Sequence, residues 1–409
     1  MSSRENAKRK LVFLWPYTTW GGAQVYFLGI MKRARSDWDV IAAIPKGSAS
    51  DLLELLDDLN VGVDFLARPF DPKGERSVIG KLRRQIDRIR SEVGVYLLLS
   101  RYDLRQSVVH LDIAPWQSWL LITMLIARGA NVFSTIHNPP ATPSRWRAQI
   151  WKARYWILSR LPRYRMFTAN RATKAYLKDQ LSKTFWEKVD VTPAAIDPEQ
   201  IADARNSPFD LDSERSRFGI ARESFVVLAV GQFIDRKGRW TFLEAASQLV
   251  NIRSNITFVW VMPSAPTRED ARRIESFGLG SHFRPIVSNT IGKDRISILR
   301  FFRIADAFVL PSYVEGLPIA LLEAMAMGIP SISTNIAAIP EAIEHRVTGF
   351  LIQPGNVQDL VKSILEIKGD AELRQRISDG GSQFVLKNFD ERQTATICLD
   401  RYERCFFLH

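Results

Sequence analysis

Apolar residues recur along the chain in short runs, separated by longer stretches in which they return every three or four positions. The chain opens with KLVFLWPY, a helical-period segment from about Ala23 to Arg35, and DVIAAIP. With Gly21-Gly22 at the first turn, this order predicts strand, helix and strand. VYLLLS, SVVHL, NVFSTIH and RMFTAN are interpreted as further strands, the last followed by a helix over residues 172–181. Consecutive units of this kind predict a parallel sheet with helices on both faces.

The pattern stops at a polar connector, IDPEQIADARNSPFDLDSERSRFG, and then restarts. SFVVLAVGQF, ITFVWVMP, AFVLPS, PSISTN and GFLIQP alternate with helical-period segments through the rest of the chain. We therefore predict an α/β protein with two doubly wound, Rossmann-like domains over residues 1–200 and 201–385. Residues 386–409 are expected to form a C-terminal helix that packs back on the first domain. Such sheets bind ligands at the carboxyl ends of their strands, so we expect a site in a cleft between two facing domains.

Charge is divided unevenly between these two halves. The net charge is +12, and residues 1–200 carry 31 Lys and Arg against 19 Asp and Glu, whereas residues 201–409 carry 25 of each. Between Asp112 and Asp179 the chain has eleven basic residues and no acidic one. Such a field attracts an anionic partner: a membrane surface, a nucleic acid or a phosphorylated substrate.

Targeting signals and cysteines suggest a cytoplasmic protein. The two cysteines, Cys398 and Cys405, have no metal-ligand spacing and are typical of reduced, structural thiols. The basic start MSSRENAKRKLVFLW imitates a signal peptide, but Pro16 and TTWGG interrupt the apolar run. The longest later run, residues 116–127, is about half of the ~20 residues that a spanning helix requires. We expect a protein that contacts a membrane without crossing it.

Two glutamates stand out in EGLPIALLEAMAMG, a stretch without Lys or Arg. A helix that starts near Leu317 or Pro318 places Glu315 just before its N-terminus and Glu323 about one and a half turns inside. The free N–H groups at this end favour an anion. Carboxylates accept hydrogen bonds and so suit sugar hydroxyls. The alternative is that Glu315 caps the helix and Glu323 is solvated.

Glu315, seven intervening residues and Glu323, preceded by ADAFVLPS and followed by GIPSIST and TGFLIQPGN, resemble a family signature. It is that of the retaining GT-B glycosyltransferases of family 4, the glycosyl transferases group 1 domain. The similarity runs from about Ser224 to Leu386 and is weaker in the first half. It implies transfer of a sugar from a nucleotide diphosphate donor, such as a UDP- or GDP-sugar, with retention at the anomeric carbon. It also implies that neither a cofactor nor a metal held by an Asp-x-Asp motif takes part.

The resemblance implies roles for single residues in the second half. Glu323 corresponds to the glutamate that holds the ribose hydroxyls, and Glu315 to the one that contacts the donated sugar. Lys237 in GQFIDRKG, with Arg236, corresponds to the positive charge that neutralises the departing diphosphate. A solvated turn is the alternative for these two cations. The expected donor-binding residues are Gly22, Gln232, Arg236, Lys237, Glu315, Gly316, Leu317 and Glu323, and the expected catalytic residues are His137, Glu315 and Lys237.

In the first half, GGAQ resembles the glycine-rich turn of the family, where Gly22 would let a diphosphate or acceptor approach the backbone. A simple tight turn is the alternative. His137 in STIHN corresponds to a histidine that hydrogen-bonds the donor sugar, although a lone histidine is often structural; His110 in SVVHL is the weaker candidate. The chain also departs from the family pattern, because Gln232 stands where relatives commonly have Arg. Ala194-Ala195 and VMPSAP replace turns that contain glycine in many relatives.

The segment PSRWRAQIWKARYWILSRLPRYR combines basic and aromatic residues. Trp146, Ile150, Ala153, Ile157 and Leu161 share one helical stripe, and basic side chains flank it. This pattern predicts a helix that lies in a membrane interface; a partly buried helix with a solvated basic face is the alternative. The residues expected to contact membrane or acceptor are Arg145, Trp146, Arg147, Trp151, Lys152, Arg154 and Trp156.

With the family resemblance, these features lead us to expect a metal-independent, retaining glycosyltransferase of cell-envelope polysaccharide synthesis. Its expected acceptor is a lipid-linked or polysaccharide hydroxyl, and its expected place is the inner face of the plasma membrane, where it associates peripherally with anionic lipid. Two alternatives stay open. One is an inactive GT-B scaffold that binds membrane or partner enzymes. The other is a nucleic-acid-binding protein, although no motif that reads RNA or DNA accompanies the charge.

Overall fold

The computed structural model describes residues 8–18, 21–69, 78–139, 144–252, 255–292 and 294–407. The chain divides into two compact units. One consists of Met1–Ala194 together with Glu391–His409, and the other of Ala195–Asp390. The second unit is therefore inserted into the sequence of the first.

The described strands of the first unit form a seven-stranded parallel sheet in the order β3-β2-β1-β4-β5-β6-β7. They are β1 (Arg9–Leu14), β2 (Trp38–Pro45), β3 (Gly62–Leu66), β4 (Ser107–Leu111), β5 (Asn131–Ile136), β6 (Tyr164–Thr168) and β7 (Asp190–Val191). The chain runs outward from β1 to β3 and then returns to continue at β4 beside β1. At such a switch point the strands' carboxyl ends leave a crevice that can receive a ligand.

Helices cover both faces of this sheet. They are α1 (Gly22–Ala34), α2 (Ser50–Asp58), α3 (Val78–Leu99), α4 (Trp119–Ala127), α5 (Arg145–Leu158), α6 (Arg171–Leu177), α7 (Lys183–Glu187) and α16 (Glu391–Arg404). Alternate strand residues point to opposite faces. Leu11 and Phe13 pack with α1, α2 and α16, whereas Val12 and Leu14 pack with α3 to α7.

The helix α16 belongs to the first unit, although it follows the whole of the second in sequence. It lies against α1, and its Tyr402 hydroxyl is 2.5 Å from Nδ1 of His110 in β4. Arg401 donates from Nε to Oδ2 of Asp190 in β7 at 2.7 Å. The last described residues thus complete one face of the first sheet.

The described strands of the second unit form a six-stranded parallel sheet in the order β10-β9-β8-β11-β12-β13. They are β8 (Phe225–Val230), β9 (Ile256–Met262), β10 (Phe283–Val287), β11 (Ala307–Leu310), β12 (Ser331–Thr334) and β13 (Phe350–Ile352). The order repeats that of the first sheet, so β8 and β11 are the neighbours at its switch point.

The helices of the second unit are α8 (Pro198–Asn206), α9 (Leu211–Arg217), α10 (Arg239–Ile252), α11 (Arg268–Glu275), α12 (Arg295–Phe301), α13 (Ile319–Ala326), α14 (Val357–Gly369) and α15 (Ala371–Asn388). Within the described ranges, no helix of either unit is long and apolar enough to span a bilayer.

One predicted strand is wrong. VYLLLS forms the last turns of α3 and the residue after it. Val95, Leu98 and Leu99 are buried at helical spacing, which a short apolar run does not distinguish from a strand. The sequence pattern predicted neither edge strand of the first sheet, because only Leu66 is fully buried in β3 and both residues of β7 are half-buried.

Candidate functional site

A turn at the carboxyl end of β8 lies against the end of β11. Gly238 closes it with a φ of +73°, and a Cβ there would lie 1.9 Å from the carbonyl oxygen of Pro311. Only glycine therefore allows this approach. The N–H of Tyr313 donates to the carbonyl of Arg236 at 2.8 Å, which joins the two loops.

The carboxylate of Glu315 lies where the two loops meet. Its Oε1 accepts hydrogen bonds from Nζ of Lys237 at 2.5 Å and from Oγ of Ser312 at 2.8 Å. Nη1 of Arg236 is 3.8 Å from Oε2. The side chain of Glu315 is 7% exposed and that of Arg236 is 45% exposed. Ionic and hydroxyl partners thus offset the cost of burying this carboxylate, while Arg236 presents positive charge to solvent.

Glu323 is buried and paired rather than solvated. It lies in α13, which begins at Ile319 after Pro318, close to the expected start. Its carboxylate forms an ion pair with Arg295, the first residue of α12. Gly316 and Leu317, which precede α13, are also buried. A ribose that binds Glu323 would have to share or displace the guanidinium of Arg295.

Gln232 contributes an uncharged amide to the turn after β8. Its side chain is partly exposed, and its carbonyl accepts from the N–H of Ile234 at 3.0 Å. Nε1 of Trp260 fixes the preceding residue by donating to the carbonyl of Gly231 at 2.9 Å. The positive charge of this turn therefore comes from Arg236 and Lys237.

In the first unit, Gly22 is the first residue of α1, which follows β1. Gly21 precedes it in extended conformation, with φ −175°, and its carbonyl accepts from the N–H groups of Gln24 and Val25. Gly21 and Gly22 are exposed, whereas Gln24 is already buried. The turn therefore leaves backbone near the carboxyl end of β1 open to a ligand.

A histidine and a carboxyl lie beyond the ends of β4 and β5, with side chains that are 17% and 15% exposed. Nε2 of His137 is 3.7 Å from Oδ1 of Asp112 and, among the described residues, has no hydrogen-bond partner. Burial lowers the pKa of His137 to about 4 and raises the pKa of Asp112 to about 7. Burial and then Asp112 raise the pKa of nearby Tyr17 to about 12. A neutral imidazole beside a carboxyl that titrates near neutrality can exchange hydrogen bonds with hydroxyls of a substrate.

His110, the weaker candidate, has a structural environment. It is fully buried, and its two ring nitrogens lie 2.5 Å from the hydroxyl of Tyr402 and 2.7 Å from that of Thr135. Both hydrogen-bonding positions are therefore occupied by the protein.

The basic aromatic segment forms α5, as predicted. The buried side is made by Tyr155 and Leu158, and Trp151 packs against Trp116 with tilted rings at a centroid distance of 4.8 Å. The guanidinium of Arg154 donates to the carbonyl of Trp116 at 2.8 Å. Trp151 and Arg154 thus anchor the helix, whereas the other expected contact residues are exposed: Arg145, Trp146, Arg147, Lys152 and Trp156.

Residues 210–384 match the family described as Glycosyl transferases group 1. The matched segment contains the turn after β8, Glu315 and Glu323. The second unit belongs to the glycosyl transferases group 1 family. The expected family is thereby confirmed.

Two curated proteins are similar to this chain over part of it. The D-inositol 3-phosphate glycosyltransferase of Paenarthrobacter aurescens (strain TC1) is 26% identical over 223 residues, which is 53% of this chain and 52% of that protein. The UDP-Gal:alpha-D-GlcNAc-diphosphoundecaprenol alpha-1,3-galactosyltransferase of Escherichia coli is 28% identical over 188 residues, 46% of each. The chain thus spans about half the length of the curated relatives it matches.

Among solved structures, Anabaena Alr3699/HepE in complex with UDP and glucose is similar over nearly the whole chain. The TM-score is 0.76 at 17% identity, and the match covers 97% of this chain and 99% of that one. The similarity extends through both units and confirms the predicted GT-B fold.

Three side chains of the site were not predicted from the sequence. Ser312 and Arg295 belong to the site because they contact the two glutamates in the folded protein. A sequence pattern does not reveal such contacts. Asp112 had a visible signal, since it directly follows the strand SVVHL at the switch point.

Proposed function

We propose that the protein transfers a sugar from a nucleotide diphosphate donor to a hydroxyl of a lipid-linked or polysaccharide acceptor, with retention and without a metal. The observation that carries the proposal is the Lys237, Ser312 and Glu315 cluster at the switch point of the family-matched unit. It combines a cation for a diphosphate with a carboxylate for sugar hydroxyls, at the strand ends where such sheets bind ligands.

Each donor contact has a chemical reason. Lys237, with Arg236, stabilises the negative charge that develops on the departing diphosphate. Glu323 accepts hydrogen bonds from the ribose hydroxyls, and Glu315 does so from the sugar. The turn residues Gly22, Gln232, Gly316 and Leu317 shape the donor's surroundings.

The reaction requires no nucleophilic side chain. The bond from the anomeric carbon to the phosphate oxygen breaks, and the acceptor oxygen bonds to that carbon on the same face. The acceptor proton passes to the departing phosphate. His137, neutral at physiological pH because burial lowers its pKa to about 4, orients the sugar by hydrogen bonding.

The charge of the chain and one relative support the proposed acceptor and location. The name of the Escherichia coli relative specifies alpha-D-GlcNAc-diphosphoundecaprenol, a sugar linked to a lipid diphosphate. An acceptor of that class resides in a membrane, and α5 presents basic and aromatic side chains that suit anionic lipid. We place this protein peripherally at the inner face of the plasma membrane, in polysaccharide synthesis.

Thermal unfolding with UDP, GDP and a panel of their sugars tests the donor proposal. A ligand at 100 times its Kd adds about 2.7 kcal/mol of stability, so one of these nucleotides should raise the unfolding midpoint. Lys237→Gln and Glu323→Gln should reduce this shift, whereas Lys362→Gln and Glu366→Gln, on α14, should keep it. The proposal is contradicted if no nucleotide raises the unfolding midpoint. It is also contradicted if the rise persists in both site variants. Transfer from the donor that shifts the midpoint is then measured with lipid-linked and glycan acceptors.

A further inference from the structure

Helix α3 carries an apolar stripe on the side opposite to its core contacts. Ile86, Ile89, Val93 and Leu97 follow at helical spacing and are 42%, 60%, 48% and 62% exposed. The opposite side, with Val95, is buried against the sheet face that carries Val12 and Leu14. A helix at a protein surface normally turns polar residues outward, so this one is apolar on two sides.

The next two helices repeat this feature. Leu120 and Met124 are exposed on α4 at 53% and 41%. Trp146, Ile150 and Trp156 are exposed on α5 at 61%, 38% and 57%. All three helices cover the same face of the first sheet, and α4 contacts both α3 and α5. Their outward sides therefore form one apolar surface, here called the three-helix surface.

The three helices of this surface carry a net positive charge. Neither α4 nor α5 contains an acidic residue. On α3, Asp87 lies 3.7 Å from Arg90, and Glu92 accepts from Arg88 at 3.1 Å. The carboxylates of α3 are thus matched by arginines of the same helix, and the basic residues of α5 add positive charge at the edge of the surface.

The two exposed tryptophans of α5 lie beside arginines. The guanidinium of Arg147 is 5.2 Å from the ring centre of Trp146, and that of Arg160 is 3.5 Å from Trp156. Each pair therefore places a cation beside an apolar ring. Such pairs suit the boundary between acyl chains and phosphate groups, where tryptophan and arginine are both stable.

We propose that the three-helix surface docks the protein on an anionic lipid bilayer, with α3 and α4 inserting apolar side chains beside α5. This deepens the membrane part of the proposed function, which relied on α5 alone. Nucleic acid would use the cations but would leave the stripes of α3 and α4 in water. A second copy would place two positively charged faces against each other, which is unfavourable.

Vesicle co-sedimentation tests the proposal with the full chain. Vesicles that contain phosphatidylglycerol should bind the protein at least tenfold more tightly than phosphatidylcholine vesicles, and added salt should weaken binding. Ile89→Ser/Leu97→Ser on α3 should reduce binding about tenfold, as should Trp146→Ser/Trp156→Ser on α5. Ile252→Ser is the matched control, since Ile252 is 63% exposed on α10 of the other unit.

The outcomes distinguish a lipid bilayer from the other possible partners of the three-helix surface. Binding that withstands the α3 substitutions, or that is absent from anionic vesicles, overturns the proposal. An oligomer that dissociates when α3 is substituted identifies a second copy instead, and RNA retention that depends on the same residues identifies a nucleic acid. The UDP or GDP shift of the unfolding midpoint should persist in all these variants, so failure to bind lipid is distinguishable from failure to bind donor.

Discussion

The ion pair with Lys237 offsets the cost of burying the Glu315 carboxylate. It does so at the position where the proposed donor sugar would require a hydrogen-bond acceptor. Such a pair contributes little net stability compared with apolar residues, but loss of one partner leaves an unmatched charge. The arrangement therefore suits a site that exchanges its internal partner for a ligand. The family resemblance named both residues as candidates, but it could not indicate Ser312, because that contact depends on how the loop after β11 folds.

A double-mutant cycle measures this coupling. Lys237→Met and Glu315→Gln should each destabilise the second unit in the absence of nucleotide, and the double variant should recover part of the loss. We expect a coupling free energy of about 1–3 kcal/mol from urea unfolding. Effects that simply add would mean that the two side chains do not stabilise each other.

The pKa of Asp112, raised to about 7 by burial, predicts a pH-dependent stability. Between its unfolded pKa and about 7 the folded state binds more protons than the unfolded state, so stability falls as the pH rises through this range. Asp112→Asn removes this penalty. Its unfolding midpoint should therefore exceed that of the natural protein by more at pH 8 than at pH 5.

The same comparison with Asp58→Asn, at an exposed position of α2, gives the control for Asp112. The lowered pKa of His137 also makes stability depend on pH, but in the opposite direction, since its contribution is lost as the pH falls towards about 4. This term is common to both proteins and cancels in the difference. An equal difference at both pH values would contradict the assigned pKa of Asp112.

At the scale of elements, the turn from β8 to α10 depends on one glycine. Gly238→Ala should destabilise the protein by about 2 kcal/mol more than Gly278→Ala, because overpacking adds to the strain of positive φ. Gly278 has a φ of +65° with nothing within 4 Å of a Cβ, so it isolates the backbone term. Gly238→Ala should also weaken the nucleotide-induced shift, and thermal unfolding reports both effects. Equal losses in the two variants would contradict the close approach to Pro311.

Most elements could be predicted because periodicity and length agree, as for β8 and α10. The end of α3 could not, since Val95 to Leu99 satisfy a strand pattern until the preceding turns are known to be helical. The outward apolar stripe of α3 was hidden by the same error. The exposure of a residue depends on which neighbouring elements cover it, and the local sequence does not determine those neighbours.

At the scale of the whole molecule, the first unit depends on the last helix. Tyr402 and Cys398 of α16 lie in one core with Tyr26 and Phe27 of α1. A chain that ends at Asp390 should therefore expose this apolar face, bind more anilinonaphthalene sulfonate and aggregate on mild heating. A chain that ends at Phe407 keeps α16 and serves as the control; equal dye binding by both chains would contradict the dependence.

The insertion of one unit within the other also has a consequence during synthesis. The second unit is continuous, so it can fold as soon as it leaves the ribosome. The first unit must wait for about 200 further residues before α16 appears, which at 5–20 residues per second is on the order of 10–40 s. During that interval the bare side of α1 is a target for chaperones, and translation speed across residues 195–390 sets how long it stays uncovered.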